Sequence, residues 1–231
     1  MLQLFIANKN YSSWSLRPWV LLKQLQLPFE ERLVVFGQAP GSAGDYCLFS
    51  PSGRVPCLHH EGLTVWDSQA IVEYLAELDP RVWPQDRAAR AWARSVCAEV
   101  HSGFQRLRDV CTMNCGLRVQ VGDWSPALVA DWQRIEALWL EGLKRFGGPY
   151  LTGPDFTAVD AFFAPVAFRV QSYGPALGEA AQAYAQRLLQ LPAMQDWYRA
   201  ALAETWRDEA HEAEARAAGL WLQDLRASAP A

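Results

Sequence analysis

The hydrophobic period of this chain changes once, near residue 78, and no other feature limits its fold as sharply. Upstream, short strand-like runs alternate with helical ones. Residues 2–7 form an apolar run suited to a buried strand, and residues 15–27 place Leu16, Trp19, Val20, Lys23 and Leu27 at helical spacings. Pro28 ends that helix, and the β-branched run at 31–36 completes a βαβ unit whose first two strands are parallel. After a Gly-, Pro- and Ser-rich loop at 37–45, the runs 55–59 and 63–66 flank a tight turn at Glu61-Gly62 and read as a hairpin. Asp67 or Ser68 then caps a helix with Ala70, Ile71, Tyr74, Leu75 and Leu78 on one face. The order is βαβ, loop, ββα.

Downstream of Pro80 the strand signals stop. Residues 86–113, 126–146, 157–171 and 178–206 all carry helical spacing, so an all-helical bundle is expected behind a stiff linker at 79–85. The predicted organisation is an α/β domain over 1–78 packed on an all-α domain over 86–231. Thr157-Ala-Val-Asp160 is a capping box with Asp in place of Glu, and Pro165 is expected to kink its helix or sit in its first turns. The tail SAPA reads as frayed.

Composition narrows the function classes. At 231 residues with 51% hydrophobic and 11 Trp, the chain has the means to build a sizeable core. Its 21 basic residues against 25 acidic ones lack the excess that phosphate tracking needs, which argues against nucleic acid. No leader-like segment and no run of about 18 apolar residues is found, so a soluble cytoplasmic protein without membrane contact is expected. Five cysteines, an odd number, suit free thiols in a reducing compartment.

Three features within the α/β segment can carry chemistry. Ser12, Ser13 and Ser15 precede the first helix, where a hydroxyl and unpaired N–H groups attract an anion; capping uses at most one of the three. Arg54-Val55-Pro56 puts a proline at a strand start, either as an ordinary edge residue or as a cis bond presenting the Val55 backbone to a ligand. Asp67-Ser68 opens the next helix, and the pair fits the ammonium and carboxylate of an α-amino acid head group, or simply caps. All three fall at strand ends or helix starts, where open sheets bind ligands.

Together these residues resemble the glutathione S-transferase family along nearly the whole chain. Tyr11-Ser12-Ser13-Trp14-Ser15-Leu16-Arg17 is similar to the serine loop of the zeta class and its bacterial relatives, with Val55-Pro56 as the cis-proline turn and Asp67-Ser68 as the γ-glutamyl clamp. The resemblance implies a thioredoxin-like domain with a mixed four-stranded sheet, glutathione as co-substrate, no metal, a homodimer, and transfer of the thiolate to a small hydrophobic electrophile. It assigns the catalytic hydroxyl to Ser12, five residues before Arg17, with Ser13 as alternative. Arg54, Val55, Pro56, Asp67 and Ser68 are the implied glutathione-binding residues, and Trp14, Phe104, Arg108 and Met113 the implied pocket walls. Where the zeta pattern has a cysteine this chain has Trp14, which favours transfer over isomerisation. A non-catalytic binding module, or a glutathione-dependent lyase, reductase or isomerase, is the alternative.

The remaining polar features read as structural. Cys97/His101 and Cys111/Cys115 have an i, i+4 spacing that suits two metal ligands, but a bundle with its own core seldom needs zinc. His59-His60 reads as a solvated loop edge, and the charged run 207–216 as a solvated helix face with Trp206, Leu220 and Trp221 packing back on the bundle.

Overall fold

The computed structural model describes residues 1–36 and 46–227; the loop read at 37–45 and the tail at 228–231 lie outside them. In the N-terminal part, β1 (Leu2–Ile6), α1 (Ser13–Gln24) and β2 (Phe29–Leu33) form the βαβ unit, followed by β3 (Cys57–His60), β4 (Leu63–Trp66) and α2 (Ser68–Leu78). The sheet order is β2-β1-β3-β4, with β1 parallel to β2 and antiparallel to β3. This is the mixed four-stranded sheet of a thioredoxin-like domain. Leu4, Ile6, Leu16, Val20, Leu58, Ile71, Val72 and Leu75 are all fully buried, so the two helices and one face of the sheet share one core.

Local chemistry sets where the elements begin. Helix α1 starts two residues before the expected position because Ser12 takes its N-cap and accepts from Ser15 N–H. Strand β2 spans 29–33 instead of 31–36: it is a half-exposed edge strand whose limits follow its register with β1, Leu2 opposite Phe29, not its β-branched run. Strand β3 begins at Cys57, after the cis Val55–Pro56 bond. His59 and His60 are not a loop edge. Both lie in β3, with His59 Nε2 2.7 Å from Phe49 O and His60 Nδ1 2.8 Å from Tyr74 Oη.

The C-terminal part holds α3 (Arg87–Ser102), α4 (Gln105–Val110), β5 (Leu117–Val121), α5 (Pro126–Phe146), α6 (Ala158–Tyr173), α7 (Glu179–Leu189), α8 (Pro192–Ala203), α9 (Glu209–Ala218) and β6 (Gly219–Asp224). Two expected helices are each split. The 86–113 run breaks at Phe104, whose φ of +59° is left-handed; beside it a Cβ on Gly103 would lie 2.8 Å from Glu99 O. The 178–206 run breaks where Pro192 begins α8.

The expectation that strands end at Pro80 is overturned by β5 and β6, an antiparallel pair. Leu117, Val119 and Val121 are buried while Arg118 and Gln120 face outward, the period of two that a half-buried strand requires. On β6 the apolar Leu220 is 66% exposed, and Trp206, which precedes α9, is 36% exposed, so neither packs back as expected, whereas Trp221 does. No helix among the described residues is long and apolar enough to cross a membrane.

Helix α6 is the hub of the bundle, buried over nearly its whole length and touching α1, α3, α7 and β5. Pro165 lies within it. Its start is fixed by the capping box: Asp160, fully buried, accepts from Thr157 N–H (3.0 Å), Leu151 N–H (3.1 Å) and Tyr184 O–H (2.8 Å). Burial pushes its carboxyl up to about 6. Removing it by Asp160→Ala strands three buried donors, and chemical denaturation should show a loss of about 3–5 kcal/mol.

Candidate functional site

Two cavities meet over the N-terminus of α1. One, of about 430 Å³, is bordered by Pro56, Asp67, Ser68, Ser52, Trp66 and His101; the other, of about 290 Å³, by Ser12, Ser13, Met113, Arg169, His211 and Glu214 among others. Trp14, Arg54 and Val55 line both. Of the residues expected from sequence, only Phe104 is misplaced: it is buried in the core at the N-cap of α4 and borders neither cavity.

At the α1 terminus, Ser12 O–H donates to Ser15 Oγ (2.7 Å), and Ser15 Oγ also accepts from Ala7 N–H (3.2 Å). The Ser13 hydroxyl lines the smaller cavity and makes no hydrogen bond with any described residue. The helix supplies its own field here, about half a positive charge at its start. At the α2 terminus, Asp67 caps the helix through Gln69 N–H (2.8 Å) and lies 3.4 Å from His101 Nε2. Its φ of +75° is a conformation that costs a non-glycine residue about 1–3 kcal/mol and persists mainly at functional sites.

Beside the smaller cavity stands a cluster of three guanidinium groups. Arg17, only 1% exposed, stacks on Trp14 at 4.1 Å, and Arg108 lies over the same ring at 4.9 Å. Arg169, also buried, borders the smaller cavity with Arg108. Their hydrogen bonds go to neutral oxygens: Arg17 to Ser68 Oγ (3.2 Å), Arg108 to Gly103 O (3.1 Å) and Val100 O, Arg169 to Cys111 O (2.7 Å) and Pro165 O (3.3 Å). Arg17 Nε is buried without a partner among the described residues. Burial, and then mutual repulsion with Arg108, holds Arg17 below the usual range and brings Arg169 down to about 10. Burial also lowers His101, against the pull of Asp67.

The loop leading into α1 is clamped by the helical part. Glu204 accepts from Lys9 N–H (2.7 Å) and Asn10 N–H (3.1 Å), Asn10 Nδ2 donates to Asn114 Oδ1 (2.9 Å), and Trp197 Nε1 donates to Lys9 O (2.8 Å). Tyr11 is tied further on: its hydroxyl donates to Glu212 Oε1 (2.7 Å), and Glu212 is paired with Arg226. The position of Ser12 therefore depends on residues about 200 positions away.

Sequence reasoning missed this C-terminal contribution. The run 207–216 is not simply a solvated face: Glu212 is buried, and His211 and Glu214 border the smaller cavity. The one available signal was Asp208-x-x-His211 at a helix start, which places the two side chains in contact. The metal-like spacings are not assembled. Cys97, Cys111 and Cys115 are buried as separate thiols, and among the described residues no group of three or more potential ligands is gathered.

The glutathione S-transferase N-terminal domain family matches residues 11–78 and the C-terminal domain family residues 122–200, and the chain belongs to the glutathione S-transferase family. It is 26% identical over 165 residues to a maleylacetoacetate isomerase of Rattus norvegicus, covering 70% of this chain and 74% of that one. It is 28% identical over 172 residues to glutathione S-transferase 1 of Dianthus caryophyllus, covering 71% and 75%. A crystal structure of a glutathione transferase homologue from Burkholderia with bound glutathione superposes with a TM-score of 0.64 at 24% identity, covering 87% of this chain and 97% of that one.

Proposed function

We propose that the chain is a serine-type glutathione transferase that binds the tripeptide in the larger cavity and an electrophile in the smaller. The observation that carries this is that the two cavities adjoin at the start of α1, sharing Trp14, Arg54 and Val55, with Ser12 and Ser13 lining the smaller one. In this reading Asp67 takes the γ-glutamyl ammonium and the α2 N-terminus with Ser68 takes its carboxylate. The Val55 backbone pairs with the cysteinyl unit, with Arg54 and Pro56 shaping the wall.

The thiolate then lies against α1. A free thiol near pKa 8.5 must drop by about two units to ionise at neutral pH, which requires about 2.7 kcal/mol of selective stabilisation. A charge-assisted hydrogen bond from Ser12 gives about 1.5–3 kcal/mol and the helix start about 0.3–1. One observation supports Ser13 as a second reading: its hydroxyl has no competing partner among the described residues, whereas that of Ser12 must turn away from Ser15.

The electrophile's cavity is not wholly apolar. Trp14 and Met113 give it apolar walls, while Arg108 and Arg169 line it with no paired carboxylate among the described residues. It therefore suits a small electrophile with an acidic end, and 4-chloro-3-nitrobenzoate should be turned over about tenfold better than the corresponding amide, measured as kcat/KM. Isomerisation of a glutathione adduct is the alternative that the isomerase names among the relatives favour. A symmetric homodimer and a cytoplasmic site belong to the same proposal, supported by the exposed Leu63 and Trp66 on edge strand β4 and by buried thiols free of disulfides; sedimentation velocity tests the former.

Titration calorimetry with glutathione is the direct test. Asp67→Asn keeps a residue that tolerates the left-handed backbone but loses the charge, and should weaken binding about 10- to 100-fold. An unchanged affinity refutes the head-group assignment.

A further inference from the structure

Helix α9 lies beyond the segments that match the family and brings His211, paired with the N-cap Asp208, to the smaller cavity. Asp208 caps the helix, accepting from His211 N–H (3.2 Å), and the same oxygen lies 2.6 Å from His211 Nδ1. A carboxylate only accepts, so Nδ1 carries the proton and, in the neutral ring, Nε2 keeps its lone pair. The imidazole is sandwiched between Tyr11 (5.0 Å, 28°) and Phe36 (5.1 Å, 29°), so two stacked rings and one hydrogen bond fix its plane. Nε2 makes no hydrogen bond with any described residue. His211 borders the same cavity as Ser12 and Ser13, the residues against which the sulfur is proposed to lie. Among the described residues, Glu214, Arg54, Arg108 and Arg169 are the other charged groups bordering the cavity.

Resting on the glutathione reading above, we infer that His211 is the proton carrier of this site and that it fits the enzyme for addition to conjugated carbonyl compounds. Nε2 takes the thiol proton as the sulfur ionises, and Asp208 stays ionised and steadies the imidazolium, the division of labour of an oriented His–acid pair. The sulfur electron pair forms a C–S bond at the β-carbon, and the alkene pair shifts to the carbonyl oxygen as an enolate. The enolate pair then takes the proton back from Nε2–H at the α-carbon. The product is a saturated thioether, His211 ends neutral, and nothing is oxidised or reduced. Displacement of chloride from an aryl ring needs no such return of a proton to carbon, because the leaving group departs with its electron pair.

That difference gives the test. Glutathione turnover is measured on the full chain with a benzylidene ketone and with chlorodinitrobenzene, for wild type, His211→Phe and Asp208→Asn. Phenylalanine keeps the ring stack, and asparagine keeps the cap. We expect His211→Phe to lower kcat for the ketone about 100-fold and for the aryl chloride less than about tenfold, with Asp208→Asn shifting the ratio the same way. An equal loss on both substrates refutes the return of the proton to carbon and overturns the inference, as does no loss on either. Glutathione heat in the calorimeter, retained in both variants, separates these outcomes from failure of the glutathione site; its absence in wild type refutes the underlying reading, and this one with it.

Discussion

Ser12→Ala should lower kcat/KM for glutathione transfer by about 10- to 100-fold while glutathione itself still binds. The range follows from one charge-assisted hydrogen bond of about 1.5–3 kcal/mol, made to the thiolate and not to the thiol. The pH at which the bound sulfur ionises, read from thiolate absorbance, should rise accordingly. The same substitution removes the α1 cap, so a stability loss of about 0.5–2 kcal/mol is expected beside the kinetic one. Ser13→Ala separates the two effects, since Ser13 is not the cap. If the kinetic loss follows Ser13 and Ser12→Ala costs only stability, the hydroxyl assignment moves by one residue and the rest of the site stands. Ser15→Ala is not a clean control, because Ser15 accepts from both Ser12 and Ala7 N–H.

That pairing also shows what a sequence can and cannot disclose. The serine cluster, Val55-Pro56 and Asp67-Ser68 were legible because each sits at an element terminus, and termini are written in local chemistry: a hydroxyl before a helical run, a proline at a strand start. The α/β order and the capping box at Thr157 were legible for the same reason. Strand β5 was written in its alternation but lay inside a segment dominated by helical spacing. Its partner β6 shows no such alternation of burial toward its end, because its outer residues are exposed. What stayed hidden is what long-range packing decides. That Arg17, Arg108 and Arg169 converge is a property of how α1, α4 and α6 meet. Nothing local to 207–216 says that Glu212 faces inward, and a charged helix with a buried acid is indistinguishable by composition from one without.

A stability effect as large as that at Asp160 is expected at that buried acid's partner. Arg226, its side chain 1% exposed, donates to Glu212 through Nη1 and through Nη2 (3.0 Å), and also to Asp224 (2.6 Å). Glu212 in turn receives Tyr11 O–H and Asn114 Nδ2 (3.4 Å), so one pair joins the C-terminal strand, α9 and the loop that carries Ser12. Burial pushes the Glu212 carboxyl up, but the Arg226 and Tyr11 hydrogen bonds outweigh it and hold the group below the usual carboxylate range. With a folded value lower than the unfolded one, the stability it contributes is present above about pH 4.5 and is lost as pH falls through the folded value. Arg226→Met keeps much of the volume and deletes the charge, leaving Glu212 buried and uncompensated, a change that typically costs about 3–5 kcal/mol. Thermal unfolding should drop by roughly 10 °C, given about 2–4 °C per kcal/mol for a chain of this size. Arg226→Met combined with Glu212→Gln should recover at least about 1 kcal/mol of that loss, because the buried charge goes with its partner. Additive losses in the double variant would mean that the pair acts through packing alone. Activity discriminates further: if α9 is held on the cavity by this pair, Arg226→Met should raise KM for the electrophile at temperatures where the fold is intact, with glutathione affinity changed little, since the head-group cavity at Asp67 and Ser68 has no part in the network.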